Sequence, residues 1–331
     1  MRNRQILLVN RPAAEVSESD FRLVEKELPP IREGEVLARV HYLSLDPYMR
    51  GRMAEARSYA PPQPLGEVMV GGTVAQVIES RHPKFQVGDM VLGMAGWQEY
   101  QISDGSTLTK IDTSVVPPSA YLGCVGMPGI TAWYGLTRLG QPRPGETVVV
   151  SAAAGAVGSV VGQLAKILGC RAVGIAGGKS KCELVVHEFG FDACVDYKSE
   201  SFRGDFKAAT ENRIDVVFEN VGGAVLDASL ARMNPFGRVV VCGLIAGYSG
   251  HDISLKNVRP ILVDRLRVQG FIISDHPEIW PQATAELREH VAAKRIRYRE
   301  TVAHGLENAP RAFIGLLKGE NVGKQLVKLV E

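Results

Sequence analysis

The stretch that decides the fold reads T147-V-V-V-S-A-A-A-G-A-V-G-S-V-V-G-Q-L-A-K-I-L-G169. Its first four residues, 147–150, are β-formers and indicate a buried strand. Beyond the first glycine, apolar residues recur at helical spacing: Val157, Val160, Val161, Leu164, Ala165 and Leu168. The sequence therefore predicts a strand, a glycine turn and a helix in succession. Such a turn directs backbone N–H groups and the positive end of the helix to one point, which favours a bound pyrophosphate.

Strand and helix patterns alternate after this stretch. The predicted strands are 171–176, 193–197, 214–220, 238–243 and 267–273, and the predicted helices are 181–189, 225–233 and 278–294. Alternation at this spacing is typical of right-handed βαβ units in a doubly wound parallel sheet. The turn residues Gly155, Ala156, Val157 and Gly158 match only a loose glycine pattern, but they lie where a dinucleotide site requires them. The alternative is a tight turn without a ligand.

The chain before residue 117 has a different character. Short β-rich runs at 36–42, 68–78 and 90–94 are separated by Gly and Pro, and no helix longer than a turn or two is predicted. Pro117 and Pro118 mark a break, and residues 121–136 predict a glycine-interrupted helix. The tail returns to strand, helix and strand at 297–302, 309–318 and 324–330. We therefore predict an α/β protein with a β-rich domain (1–116 and 298–331) and a cofactor domain (117–297).

Composition excludes several classes of function. The 331 residues carry 38 Lys+Arg and 36 Asp+Glu, a net charge of +2, which gives no field that would favour nucleic acid or an anionic membrane. The apolar run near the N-terminus, 6–9, is too short for a signal peptide, and no span has membrane length, so we expect a cytoplasmic protein. Five cysteines without a C-x-x-C pair indicate reduced thiols rather than a disulfide framework.

The end of the second predicted strand distinguishes between the two common dinucleotides. An NAD site places Asp or Glu there, against the ribose 2′-hydroxyl. Here the segment G174-I-A-G-G-K-S-K181 has no acid before Glu183. Lys179, Ser180 and Lys181 offer two ammonium groups and a hydroxyl, which suit a 2′-phosphate. NADP is therefore favoured over NAD; the alternative is that these lysines only begin a solvated helix.

Six motifs extend this interpretation to nearly the whole chain. They are D46-P-Y-M-R50, A152-A-A-G-A-V-G158, V195-D-Y-K198, E219-N-V-G-G223, C242-G-L-I-A-G-Y248 and G319-E-N-V-G-K324. With them the sequence resembles the zinc-independent double-bond reductases of the medium-chain dehydrogenase/reductase superfamily, which include prostaglandin, alkenal and curcumin reductases. The resemblance implies a GroES-like β-rich catalytic domain, a Rossmann cofactor domain, NADPH, a small unsaturated carbonyl substrate and a homodimer.

The resemblance also implies that no metal is used. Zinc-dependent members carry a Cys and a G-H-E motif for the catalytic ion. The corresponding position here reads L65-G-E67, and no cysteine precedes Cys124, so three suitable ligands cannot be assembled in that domain. Hydrogen-bond donors must then polarise the substrate carbonyl.

The cofactor-binding residues implied by the resemblance lie at strand ends and in the tail. They are Gly155, Ala156, Val157, Gly158, Lys181, Tyr197, Asn220, Cys242, Gly243, Leu244, Ile245, Tyr248, Phe271, Ile272, Ile273 and Asn321. In this assignment the glycine turn holds the pyrophosphate, Lys181 the adenosine phosphate, and the segment 242–248 the nicotinamide ribose. Strand ends are where an open α/β sheet binds its ligand.

Three tyrosines are candidate catalytic residues. Hydride addition to the β-carbon of an enone collects negative charge on the carbonyl oxygen, and a donor placed there stabilises that charge. Tyr248 is the first choice; Tyr48 and Tyr59, from the β-rich domain, come second, and a packing role is equally open for Tyr48. Quinone reduction, or NADPH binding by a regulator without turnover, are the competing hypotheses.

Overall fold

Strands and helices follow one another through residues 1–330, the part of the chain that this computed structural model describes. The strands are β1 Arg2–Leu8, β2 Phe21–Glu27, β3 Val36–Ser44, β4 Thr73–Ser80, β5 Met90–Gly93, β6 Tyr100–Ser103, β7 Thr109–Lys110, β8 Thr147–Ser151, β9 Arg171–Ala176, β10 Ala193–Asp196, β11 Ile214–Glu219, β12 Met233–Val241, β13 Arg267–Gly270, β14 Glu300–His304 and β15 Lys324–Lys328. The α-helices are α1 Tyr48–Arg52, α2 Met127–Tyr134, α3 Gly158–Ile167, α4 Lys179–His187, α5 Phe202–Ala209, α6 Gly223–Leu230, α7 Arg259–Val263, α8 Trp280–Ala292 and α9 Ala309–Leu317. Short 3₁₀ helices lie at Glu18–Asp20, Pro118–Leu122, Ile245–Gly247, Ile273–Asp275, Pro277–Ile279 and Leu306–Asn308, and Gly135–Gly140 is a π-helical turn.

The segment Gly123–Arg299 forms one compact unit around a six-stranded parallel sheet. The strand order is β10-β9-β8-β11-β12-β13. Counted from β8, this is the 3-2-1-4-5-6 order of a Rossmann fold, which confirms the predicted fold class. Every residue of β8 is buried, as its apolar run requires. From β8 the chain first adds β9 and β10 on one side of the sheet and then adds β11, β12 and β13 on the other side. The point between β8 and β11 is therefore the topological switch point, where open α/β sheets bind their ligands.

The other unit combines Met1–Leu122 with the tail from Glu300 onward. Its seven-stranded sheet has the order β14-β15-β3-β4-β5-β7, with β6 paired to β3, and β1 and β2 form a separate antiparallel pair. The tail strand β15 pairs antiparallel with β3, so the C-terminal segment returns to the β-rich unit. The domain limits at 116/117 and 297/298 stay a prediction.

Aromatic packing fixes the core of the β-rich unit. The buried rings of Trp97 and Phe21 stack with centroids 5.1 Å apart, and Phe313 from α9 meets Trp97 edge-on at 5.7 Å. In the Rossmann unit the core lies between the sheet and its helices and includes Val149 of β8 and Phe206 of α5. The two cores give each unit a rigid frame for the segments that follow its strands.

The predicted helix over 121–136 is wrong in detail. The chain forms a 3₁₀ helix at Pro118–Leu122, and α2 begins only at Met127. Pro128 explains this start, because proline lacks an N–H and is tolerated in the first helical turn. A Cβ added to Gly129 would lie 1.9 Å from the carbonyl oxygen of Cys124, so the glycine permits the sharp turn into α2.

Several other predicted boundaries are corrected by pairing. The strand predicted over 267–273 ends at Gly270, because its partner β12 ends at Val241 directly opposite. Met233, predicted as the end of a helix, begins β12, and the strand predicted from residue 68 begins at Thr73. The helix predicted over 278–294 is shorter, since α8 begins at Trp280 after a 3₁₀ turn. Helix α5 was not predicted.

Candidate active site

The glycine turn between β8 and α3 is as tight as the sequence predicts. Ala152 adopts a positive φ of 51°, and the N–H of Gly155 donates to its carbonyl at 2.9 Å. A Cβ on Gly158 would lie 2.3 Å from that same carbonyl oxygen. Only glycine therefore lets α3 begin this close to the end of the strand. The N–H of Ser159 donates to the Gly155 carbonyl at 3.0 Å, and those of Val160 and Val161 donate to the Val157 carbonyl at 3.1 Å, so the turn and the start of α3 are joined. The positive end of α3 at this turn favours an anion.

The strands on either side of the switch point are joined by hydrogen bonds. The hydroxyl of Ser151, the last residue of β8, donates to Glu219 Oε1 at 2.8 Å and accepts from the N–H of Asn220 at 2.7 Å. The side-chain amide of Asn220 donates to the Ser151 carbonyl at 2.8 Å. Asn220 thus lies at the end of the fourth strand of the Rossmann unit, where the resemblance places it.

Glu219 supports the same edge from inside the sheet. Its buried Oε1 accepts the N–H groups of Val221 at 2.5 Å and Gly222 at 2.8 Å, which shapes the turn into α6. Burial raises the pKa of Glu219. Its Oε2 is buried and has no hydrogen-bond partner among the described residues. Through Oε1 this carboxyl group ties the turn into α6 to Ser151 at the end of β8.

Two lysines and a tyrosine gather at the end of β9. A Cβ on Gly177 would lie 2.9 Å from the Tyr197 ring and 3.1 Å from Lys198 Cε, so both side chains cross this strand end. The pKa of Lys181 is lowered by burial and by the positive charge of Lys198. Two ammonium groups that repel each other at a strand end suit a doubly charged phosphate.

The structure separates the lysines that the sequence groups together. The Lys179 side chain is 89% exposed and its Nζ lies 3.8 Å from Glu183, which is typical of a solvated helix start. Lys198 was missed by sequence reasoning. The motif V195-D-Y-K198 contains this lysine, but the motif places it near Lys181 only if β10 lies next to β9 in the sheet.

The segment after β12 carries Tyr248. The N–H groups of Cys242 and Gly243 donate to the Glu219 carbonyl at 2.8 and 3.1 Å, so Leu244 and Ile245 begin a loop fixed to the switch point. This loop turns through the 3₁₀ helix Ile245–Gly247 to Tyr248.

The Tyr248 hydroxyl folds back over its own loop. It lies 3.5 Å from the position of a Cβ on Gly243. Burial raises the pKa of Tyr248, and burial of the Cys242 thiol raises the pKa of that group to about 12. Both groups are therefore neutral near pH 7, and Tyr248 keeps the proton that a hydrogen-bond donor needs.

Phe271 follows β13 and packs inward. Its ring centroid lies 5.5 Å from that of Tyr134 and 6.4 Å from that of Phe218. Ile272 and Ile273 come next and are half-buried. This segment, which the resemblance assigns to cofactor binding, thus lies at the same carboxyl edge of the sheet as the glycine turn.

The β-rich unit holds the remaining candidates. Tyr48 begins α1, and burial, followed by the charge of Asp46, raises its pKa well above the usual range. The exposed Tyr59 adds a further upward shift to that pKa, so the two tyrosines belong to one neighbourhood. Asn321 is half-buried, and its amide donates to the Gly323 carbonyl at 2.8 Å.

Within residues 1–330, no three His, Cys, Asp or Glu side chains are grouped so that they could hold a metal ion. Over the same residues, no helix combines the length and apolar character needed to cross a membrane.

A GroES-like unit and a Rossmann unit with a glycine turn at its switch point define a medium-chain dehydrogenase/reductase. Two family profiles match, "N-terminal domain of oxidoreductase" over residues 4–111 and "Zinc-binding dehydrogenase" over 156–289. The chain is 47% identical to NADPH-dependent curcumin reductase of Escherichia coli, over 99% of this chain and 97% of that protein. It is 42% identical to 2-alkenal reductase (NADP(+)-dependent) of Nicotiana tabacum, over 98% and 97%.

Solved structures agree. A crystal structure of CurA in complex with NADPH from Vibrio vulnificus has a TM-score of 0.94 and 46% identity, and 99% of each chain is covered. This chain belongs to the zinc-independent medium-chain dehydrogenase/reductase family, together with curcumin, alkenal and prostaglandin reductases. A putative NADPH:quinone reductase from Bacillus thuringiensis is only 17% identical at a TM-score of 0.79, a likeness that shows the fold alone.

Proposed function

We propose that this protein reduces the carbon–carbon double bond of α,β-unsaturated ketones and aldehydes, using NADPH as the reductant. The observation that carries the proposal is the position of the Tyr248 phenol, on a loop fixed to the same sheet edge as the glycine turn. The curcumin and 2-alkenal reductases, at 47% and 42% identity, support the substrate class.

NADP(H) is the cofactor, and the residues present fit it. A side chain at Gly158 would collide with the Ala152 carbonyl, so this glycine lets α3 begin close to the end of β8, with its positive end at the turn where a pyrophosphate would bind. Lys181 and Lys198 supply positive charge for the 2′-phosphate. When bound, NADPH supplies a hydride for the β-carbon.

The protein's own contribution to catalysis is proposed to be electrostatic stabilisation of the negative charge that develops on the substrate carbonyl oxygen. Tyr248 donates a hydrogen bond to the substrate carbonyl oxygen. This hydrogen bond becomes stronger as negative charge collects on the oxygen. A phenol suits this task, because burial keeps Tyr248 protonated. Tyr48 and Tyr59 are proposed as further donors from the β-rich unit, and the Asn220 amide as a ligand of the cofactor.

Turnover by the purified, chelator-treated protein tests this function. We expect rapid NADPH oxidation with a small enal or enone, unchanged by the chelator because hydrogen-bond donors replace a metal, and much slower oxidation of NADH. The measurement is the loss of NADPH absorbance with a panel of enals, enones and quinones. A dominant quinone rate would replace the proposal with quinone reduction, and NADPH binding without any turnover would favour a regulator.

We also propose that two copies of the chain associate through the Rossmann unit. Strand β13 ends the six-stranded sheet and pairs with β12, and its other edge carries no strand in the part of the chain described. Val268 on this strand is 45% exposed, and Leu262 on the preceding α7 is 81% exposed. An open strand edge with exposed apolar neighbours is suited to pairing with a second copy.

Sedimentation measures this association. The native protein is expected to sediment as a dimer, and Val268→Lys to shift it toward monomer, because a charge on the edge strand opposes pairing. Val87→Lys alters an equally apolar, exposed residue of the β-rich unit and serves as the control. A monomeric native protein, or an undisturbed Val268→Lys dimer, would reject this interface.

A further inference from the structure

A lysine and an aspartate that the proposed chemistry does not use are buried against each other in the β-rich unit. Lys324 begins β15, and Asp46 follows β3. The N–H of Leu45 donates to the Gln325 carbonyl at 3.2 Å, so the antiparallel register of the two strands extends to this pair. Residues 278 positions apart in sequence are thereby brought into contact.

Each partner of this ion pair also makes a hydrogen bond outside the pair. Lys324 Nζ lies 2.6 Å from Asp46 Oδ1 and donates to the Leu45 carbonyl at 2.7 Å. The Ser44 hydroxyl donates to the other carboxylate oxygen of Asp46. The Lys324 and Asp46 side chains are only 4% and 8% exposed. The geometry leaves little freedom for either group.

Stability alone does not account for such a pair. Removing two charges from water costs about as much as their attraction returns, and apolar replacements are often equally stable. The pKa of Lys324 is lowered by burial, against the opposing effect of Asp46. A second carboxyl group, that of the half-buried Glu300, lies close enough to interact with Lys324, and burial raises its pKa. What this arrangement does provide is a fixed orientation of the two backbone segments that carry Asp46 and Lys324, because each charged hydrogen bond holds one of them in place.

The two segments that it fixes both carry predicted site residues. Tyr48 begins α1 two residues after Asp46. Asn321 lies three residues before Lys324, in a loop closed by its own hydrogen bond to the Gly323 carbonyl. The catalytic candidate Tyr48 is therefore held through Asp46, and the cofactor-binding candidate Asn321 is held through Lys324, the other partner of the same ion pair.

We infer that Lys324 is a positioning residue, which acts through Asp46 to hold the Tyr48 turn in the orientation that turnover requires. This inference rests on the proposed function, in which Tyr48 is a donor to the substrate. Because its buried Nζ is held by Asp46 and the Leu45 carbonyl, Lys324 would act without touching substrate or cofactor. Its removal affects catalysis because the turn can then adopt other orientations.

A double-mutant cycle with Tyr48→Phe tests the inference. Lys324→Met is expected to lower kcat for an enone about tenfold. In the Tyr48→Phe background the same substitution should cause no further loss in kcat, because the group that it positions is already absent. Losses that multiply in the double variant, or a Tyr48→Phe protein with full turnover, would overturn the inference. A merely structural lysine would lower activity equally in both backgrounds.

Two controls complete the cycle. Lys328→Met removes a half-buried lysine from the same strand and should leave kcat unchanged. If Lys324→Met alone fails to fold because Asp46 is left as an unpaired buried charge, the neutral variant Asp46→Asn/Lys324→Met replaces it in the cycle. Absence of enone turnover by the native protein would reject the proposed function and this inference together. Enone turnover with multiplying losses would reject the inference alone.

Discussion

Replacing Tyr248 with Phe is expected to lower kcat for an enone about 100-fold, while the Kd for NADPH changes little. The substitution removes one hydroxyl and keeps the ring that packs over the 242–248 loop. The lost hydrogen bond strengthens only as charge develops on the carbonyl oxygen, so its removal lowers kcat and kcat/KM together. Steady-state kinetics and a fluorescence titration with NADPH measure the two quantities.

A second tyrosine provides the matched control. Tyr121 is buried, and its hydroxyl donates to the Asp112 carbonyl at 2.6 Å. Tyr121→Phe removes an equivalent hydroxyl and is expected to lower stability without lowering kcat. If Tyr248→Phe retains full turnover, that phenol has no part in the mechanism. A large rise in the Kd for NADPH would instead make it a cofactor ligand only.

The parts of the fold that sequence alone predicted are those set by local chemistry. The strand predicted at 147–150, which forms as Thr147–Ser151, follows from an apolar run, and the turn at Gly158 follows from a position where only glycine fits. Alternating periodicity then predicted the parallel sheet. Boundaries were less accurate, because the end of a strand depends on its partner: β13 stops at Gly270 because β12 stops at Val241.

The site was less predictable, because its contacts join distant residues. No local pattern gave Glu219 a role, yet its carboxyl accepts the Ser151 hydroxyl 68 positions away and shapes the turn into α6. The pairing of Asp46 with Lys324 depends on the register of β3 and β15, which no local pattern specifies. Lys198 reaches the end of β9 only because β10 is its neighbour in the sheet.

The lysines at the end of β9 carry the second large prediction. Lys181→Ala/Lys198→Ala is expected to raise the Kd for NADPH at least 100-fold, since each charged hydrogen bond to the 2′-phosphate contributes about 1.5–3 kcal/mol. The Kd for NADH should stay nearly constant, because that cofactor carries a hydroxyl in place of the phosphate. Titrations with both dinucleotides give the ratio of the two constants.

The exposed Lys207 on α5 provides the control. Lys207→Ala removes a positive charge from the same unit but should leave both constants unchanged. This comparison separates a local phosphate contact from a general loss of positive charge. A double variant that weakens NADH as much as NADPH would show a damaged fold at this strand end. An unchanged ratio would assign the phosphate to other residues. A collapsed ratio with intact NADH binding is the result expected if Lys181 and Lys198 together select the phosphorylated cofactor.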